Sequence, residues 1–189
     1  MRRFVMYCST PLEPDKLKEL KEPLKQTPCL NPECRRVGCL IGHGRLRGYD
    51  ADGERVIRGQ RVLCSNRRRG EPGCGKTFSI FPCDVLRRRQ VGAPQLFGFF
   101  TGMLRGLSRH AAWRALGLIF SIRHAYRLWQ AFLDQQLRLR ERLCRLLAPP
   151  PSTAAQPELQ LLQHLQAAFA GAACPVSAFQ LEFQEGFLG

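Results

Sequence analysis

The pattern of apolar and polar positions changes character three times along the chain. Residues 1–28 are broken by Pro11, Pro14 and Pro23 and carry mixed charges. They read as a leader with one short surface helix begun by Asp15. From Val37 to Pro82 hydrophobic and basic residues mix around glycines, which reads as strands. Val37–Tyr49 runs into the turn signal Asp50-Ala-Asp-Gly53, Arg55–Cys64 returns from it, and Lys76–Pro82 is a third short strand stopped by proline.

From Pro94 onward apolar residues recur at helical spacing. Pro94–Leu107 makes a first helix. Ser108 caps a second, Arg109–Leu116, and Gly117 fits its C-terminal turn. Ser121 caps a third that runs from Ile122 to Leu147, with Leu128, Phe132, Gln136, Leu139, Leu143 and Leu146 on one packing face. Trp113, Trp129 and Cys144 read as core. Pro149-Pro-Pro-Ser-Thr breaks the chain. Pro157–Phe169 and the segment from Pro175 form a short helical tail with apolar faces.

Charge sharpens this division. The chain of 189 residues has net charge +14, and 24 of its 29 basic residues are arginine. Residues 35–89 hold 14 basic and 5 acidic residues, and residues 90–146 hold 9 and 2. Residues 147–189 hold no Lys or Arg and 3 acids. The positive charge lies on the middle of the chain, as the footprint of a polyanion partner does. The arginine fork suits phosphate and guanine. The tail is expected to dock on the preceding helices or on a partner. No targeting segment and no membrane span are read from the sequence, so a cytoplasmic, nucleoid-associated bacterial protein is expected.

Without a secretion signal, paired cysteines read as metal ligands before disulfides. Cys29 and Cys34 are separated by four residues, Cys64 and Cys74 by nine. Two such pairs around a basic hairpin are the parts of a zinc ribbon. The expected ligands of a structural Zn²⁺ are Cys29, Cys34, Cys64 and Cys74, with Cys39 and His43 as rivals. The long second knuckle would return Cys74 to the metal through Gly73 and Gly75. A segment this small has too little apolar surface for a core of its own, and a metal supplies the missing folding free energy. The predicted class is therefore α+β. A leader (1–28) precedes a small antiparallel zinc ribbon (29–83) and a basic linker (84–92). A helix-turn-helix-like module (93–147) and a helical tail (148–189) follow.

Helix, short glycine-containing turn, helix is the pattern that presents the first turns of its second helix to a DNA groove. Here those turns carry Ser121, Arg123, His124 and Arg127. The runs Arg67-Arg68-Arg69 and Arg87-Arg88-Arg89 are expected to hold phosphates of double-stranded DNA.

The segments Gly42–Tyr49, Arg61–Arg67 and Gly73–Phe78, followed by Trp113 and the helix at Ser121, resemble the zinc-ribbon plus helix-turn-helix proteins of bacterial insertion elements. That resemblance covers about residues 29–147 and departs from the usual CxxC at Cys64 and Cys74. It implies zinc on the four cysteines, DNA contacts from Arg123 and Arg127, and a role beside transposition. The partner it implies is a transposase catalytic subunit, or self-association through residues 128–189. Catalysis is not expected. A DDE nuclease needs three converging carboxylates, and Glu158, Glu182 and Glu185 of the tail are scattered. A zinc-ribbon protein-interaction adaptor and the DNA-binding half of a split transposase are the alternative readings.

Overall fold

The computed structural model describes residues 5–9, 21–67, 72–152 and 154–189. It is mixed α+β. Four strands, β1 (Val5–Cys8), β2 (Leu40–Tyr49), β3 (Arg55–Cys64) and β4 (Thr77–Pro82), form one sheet of order β1-β4-β3-β2. Among the described residues seven helices accompany it: α1 (Lys21–Gln26), α2 (Ala93–Leu104), α3 (Arg109–Arg114), α4 (Ile122–Leu133), α5 (Gln136–Cys144), α6 (Pro157–Ala168) and α7 (Pro175–Phe183). The chain divides into two compact units, Met1–Tyr49 with Arg55–Pro82, and Asp50–Glu54 with Cys83–Gly189.

In the first unit β2 and β3 pair antiparallel from Leu40 opposite Cys64 to Tyr49 opposite Arg55, with irregularities at Gly42/Gly44 and Leu46/Arg47. The turn falls where Asp-Gly places it. Gly53 has φ +83, and the Asp50 carboxylate accepts the backbone N–H groups of Asp52 at 3.0 Å and Glu54 at 2.9 Å. β4 adds antiparallel to β3 over Gln60–Leu63. The fourth strand is a correction to the leader reading. β1 joins the sheet parallel to β4, from Val5 opposite Ser79 to Cys8 opposite Pro82. Four residues are too few to display a period, so only pairing reveals them. The helix expected from Asp15 lies outside the described residues, whereas α1 places Leu24 in the core of this unit. That core is small: Leu24, Leu40, Val62, Phe78 and Ile80, together with Cys29, Cys39 and Cys64.

The second unit has a larger aromatic core. Phe99, Phe100, Phe132, Phe179 and Phe187 are fully buried, with Phe100 and Phe132 centroids 4.8 Å apart. Trp113 and Trp129 are buried, as read from the sequence, and Trp113 donates its indole N–H to the Phe120 carbonyl at 3.0 Å. Ser108 caps α3 by accepting from Ala111 N–H at 3.2 Å.

The single helix expected from Ile122 to Leu147 is two helices. Asp134 takes a side-chain bond from Gln130 at 2.8 Å, and Gln135 takes one from Arg138 at 2.8 Å. The break falls at Gln135, whose backbone takes φ -101 and ψ 0 between the two helices. The break still leaves Leu128, Phe132, Leu139 and Leu143 fully buried, but Leu146 is 42% exposed. Cys144, expected in the core, is exposed, because α5 turns that side outward.

The basic-free tail docks on α5. Arg138 donates to the carbonyls of Gly186 and Phe187, both at 2.8 Å, and Arg138 and Arg142 share the Glu185 carboxylate at 2.8 and 2.9 Å. Among the described residues no helix is long and apolar enough to cross a membrane.

Candidate metal centre

Two knuckles bring four sulfurs together. In the first, Cys29 N–H donates to the Arg36 carbonyl at 2.8 Å, while Cys34 and Arg35 N–H both donate to the Asn31 carbonyl, at 2.9 and 3.0 Å. Arg35 adopts φ +47 to close this turn. The second knuckle closes through bonds at its two ends. Cys64 N–H bonds the Lys76 carbonyl at 3.0 Å, and Gly73 N–H bonds the Ser65 carbonyl at 2.8 Å. The chain thus closes again before Cys74, whose N–H points at the Cys64 sulfur at 3.4 Å. A Cβ on Gly73 would stand 2.4 Å from that sulfur, so only glycine permits the return.

The ligand atoms of Cys29, Cys34, Cys64 and Cys74 lie within 4.8 Å of one another. Cys29 and Cys74 sulfurs are 3.7 Å apart, and those of Cys34 and Cys64 3.9 Å. These separations are far beyond the ~2.05 Å of a disulfide. They match the ~3.8 Å edge of a tetrahedron with metal–sulfur bonds of about 2.3 Å.

Electrostatics separates the four. Burial pushes the Cys29 and Cys64 thiols up. The Arg36 backbone N–H holds the Cys34 thiol down, to about 7. The group is compatible with a metal ion that would neutralise several thiolates at once. Cys39 and His43, the rival ligands, stand outside it. Cys39 is buried with its sulfur toward the Val37 carbonyl, and His43 is exposed at the β2 irregularity.

The residues expected to meet DNA fall into two sets. Arg67 is exposed beside the second knuckle, and Arg68 and Arg69 lie outside the described residues. Arg87, Arg88 and Arg89 do not form a free linker. They occupy a turn pinned by buried Leu86 and Val91, in which Arg88 takes φ +58. The structure brings this turn to α4, because Arg89 and Arg127 both act on His124. Ser121 holds the N-cap position with no side-chain cap bond, and Ser121, Arg123 and Arg127 are exposed.

His124 is not a surface contact. Its ring stacks on Phe120 at 4.9 Å and Trp113 at 5.9 Å, and its Nε2 is buried with no partner among the described residues. Burial, then the charges of Arg89 and Arg127, keep the imidazole neutral by lowering its pKa from 6.5. The unfolded chain therefore takes up this proton first as pH falls. Stability is present in full above the unfolded value near 6.5 and is lost as pH drops through it toward the depressed folded value. Thermal unfolding of the helical unit between pH 7.5 and 5 is expected to show this loss, and His124→Phe to flatten it. An unchanged slope in the variant would refute the assignment.

Sequence reasoning missed Gln180 and Glu185, which tie the tail to the rest of the helical unit; the hairpin carries Arg45, Arg47 and Arg55 exposed. Only the Arg45-x-Arg47 alternation was visible as a signal. Comparison with protein-family models, curated proteins and solved structures finds no significant match to this chain.

Proposed function

We propose that this is a DNA-binding protein in which a structural Zn²⁺ on Cys29, Cys34, Cys64 and Cys74 folds the sheet unit as a zinc ribbon, while the helical unit binds duplex DNA. In this reading α3, its turn and α4 act as a helix-turn-helix. Zinc suits an all-thiolate tetrahedral set of this size, and a set with four protein ligands leaves no open position for substrate. The proposed setting is a mobile element, on the resemblance of the ribbon and Ser121 segments to insertion-element proteins. No catalysis is assigned to the chain itself.

One observation carries the DNA reading. The Arg87–Arg89 turn and the start of α4 converge, and Arg88, Arg89, Arg123 and Arg127 form no ion pair with a described carboxylate. By contrast, Arg138 and Arg142 of α5 pair with Glu185, and Arg145, just past its end, pairs with Glu141. Uncompensated arginines on a pinned turn beside a helix start are placed to hold phosphates.

Fluorescence anisotropy on a labelled duplex tests this. Binding is expected to weaken steeply with salt, and R123Q/R127Q to lower the log–log slope by about 1.8, at ~0.9 per phosphate. Binding indifferent to salt would sink the reading. A protein-interaction role is the second reading, favoured by Leu137, which is 86% exposed on α5. Leu137→Arg would then abolish self-association or partner capture while leaving duplex binding intact.

A further inference from the structure

The β2–β3 hairpin carries charge that the reading above does not use. β4 pairs with β3 only from Gln60 to Leu63, and β2 is the last strand of the sheet. The outer part of the hairpin, residues 46–49 against 55–59, is therefore a two-stranded ribbon, and Arg45, opposite Gln60, stands at its base. Side chains alternate along a strand, so Arg45, Arg47 and Tyr49 share one face of β2 at steps of about 6.7 Å. Arg55 is the direct cross-strand partner of Tyr49, which places it on that same face.

All four side chains are exposed, Tyr49 at 52%. None of the three arginines forms an ion pair with a described residue. The carboxylates nearest in sequence do not answer them: Asp50 is committed to the turn backbone, and Asp52 and Glu54 are exposed at the tip.

A glycine of β2 adds to this. A Cβ on Gly44 would meet nothing within 4 Å, whereas the Arg58 side chain lies over Gly48. Neither space nor φ demands glycine at position 44, although glycine weakens a strand. Unforced glycine in a strand fits a place where another backbone approaches closely. A row of unpaired arginines with an aromatic ring, on a hairpin whose outer strand is open at Gly44, has the chemistry of a phosphate-backbone contact. A two-stranded ribbon is also of a width that the major groove of B-DNA admits.

We propose that the outer face of this hairpin is a second duplex-DNA contact surface, in which Arg45, Arg47 and Arg55 each neutralise a backbone phosphate. The inference rests on the DNA-binding reading and extends it from the helical unit to the sheet unit.

The test is duplex binding by full-length protein across a salt series, comparing the natural chain with R45Q/R47Q/R55Q and R45K/R47K/R55K. All three positions are exposed, so metal content and thermal unfolding are expected to be unchanged in both variants. The glutamine variant is expected to bind at least tenfold more weakly near 0.1 M salt, with the log–log slope reduced by about 2.7, at ~0.9 per phosphate. The lysine variant is expected to keep the slope. If the natural chain binds duplex DNA and the glutamine variant keeps its slope, the hairpin inference fails and the helical reading stands. If the natural chain binds no duplex at all, both fail. If the glutamine variant loses binding to a stem-loop RNA but not to duplex DNA, the surface is an RNA site and the proposal is overturned.

Discussion

Stripping the metal with a strong chelator is expected to unfold the sheet unit and leave the helical unit folded. The asymmetry follows from the two cores. Among its described residues the sheet unit buries few large apolar side chains, Tyr7, Leu24, Leu40, Val62, Phe78 and Ile80, together with the cysteines Cys29, Cys39 and Cys64. Two of those, Cys29 and Cys64, belong to the four-sulfur cluster. A bound structural zinc is worth about 10–16 kcal/mol in apparent folding free energy in small modules, more than a core of this size returns. The helical unit keeps its own core around Phe99, Phe100, Phe132 and Phe187, with no cysteine cluster among its described residues.

Amide spectra are the measurement. Resonances of 40–82 should collapse to random-coil positions on chelation, and those of 93–189 should persist. Cys64→Ser should reproduce the effect, since Cys64 is fully buried and its sulfur faces both Cys34 and the Cys74 N–H. Cys39→Ser should retain the metal. Sheet resonances that survive chelation, or metal lost with Cys39 alone, would refute the centre.

Gln180→Leu is expected to destabilise the helical unit by about 3 kcal/mol, taking ~1 for each of the three groups left unpaired. Gln180 is fully buried and all of its hydrogen bonds hold the chain to itself. Its amide nitrogen donates to the carbonyls of Cys83 at 2.7 Å and Val85 at 3.1 Å. Its oxygen accepts the Phe187 N–H at 3.0 Å. The one side chain ties α7 to the segment leading into the Arg87–Arg89 turn and to the final turn of the chain. Leucine fills a similar volume, so the loss would isolate the hydrogen bonds from the packing. Chemical denaturation monitored by tryptophan fluorescence measures it. A loss below about 1 kcal/mol would mean that water replaces Gln180 at these groups.

Much of the local structure is legible residue by residue. Asp50 and Gly53 specify the hairpin turn because few other residues supply both a side-chain acceptor and positive φ. Ser108 and Ser121 mark helix starts, and Trp113, Trp129, Leu128 and Phe132 advertise burial through their spacing. Other features leave no periodic trace. β1 is four residues recruited by a neighbour 74 positions away. The break after Asp134 interrupts an otherwise good helical pattern at Gln135, and no residue type there announces it. Gln180 looks like any polar residue on a tail helix until the carbonyls it serves are in place.

The metal centre divides in the same way. By itself the sequence determined the ligand type, the pairing of cysteines into two knuckles and the basic hairpin between them, because turn chemistry and thiol chemistry act over a few residues. Tertiary structure alone separated that set of four from its rivals Cys39 and His43. Cys39 is nearer in sequence to the first knuckle than Cys64 or Cys74, yet the β2–β3 register places Leu40 opposite Cys64 and points the Cys39 sulfur at a carbonyl. The long second knuckle closes because Gly73 tolerates a sulfur where a side chain would stand. Convergence of four atoms across 45 residues is set by strand pairing and packing, and neither is encoded in the spacing of the cysteines themselves.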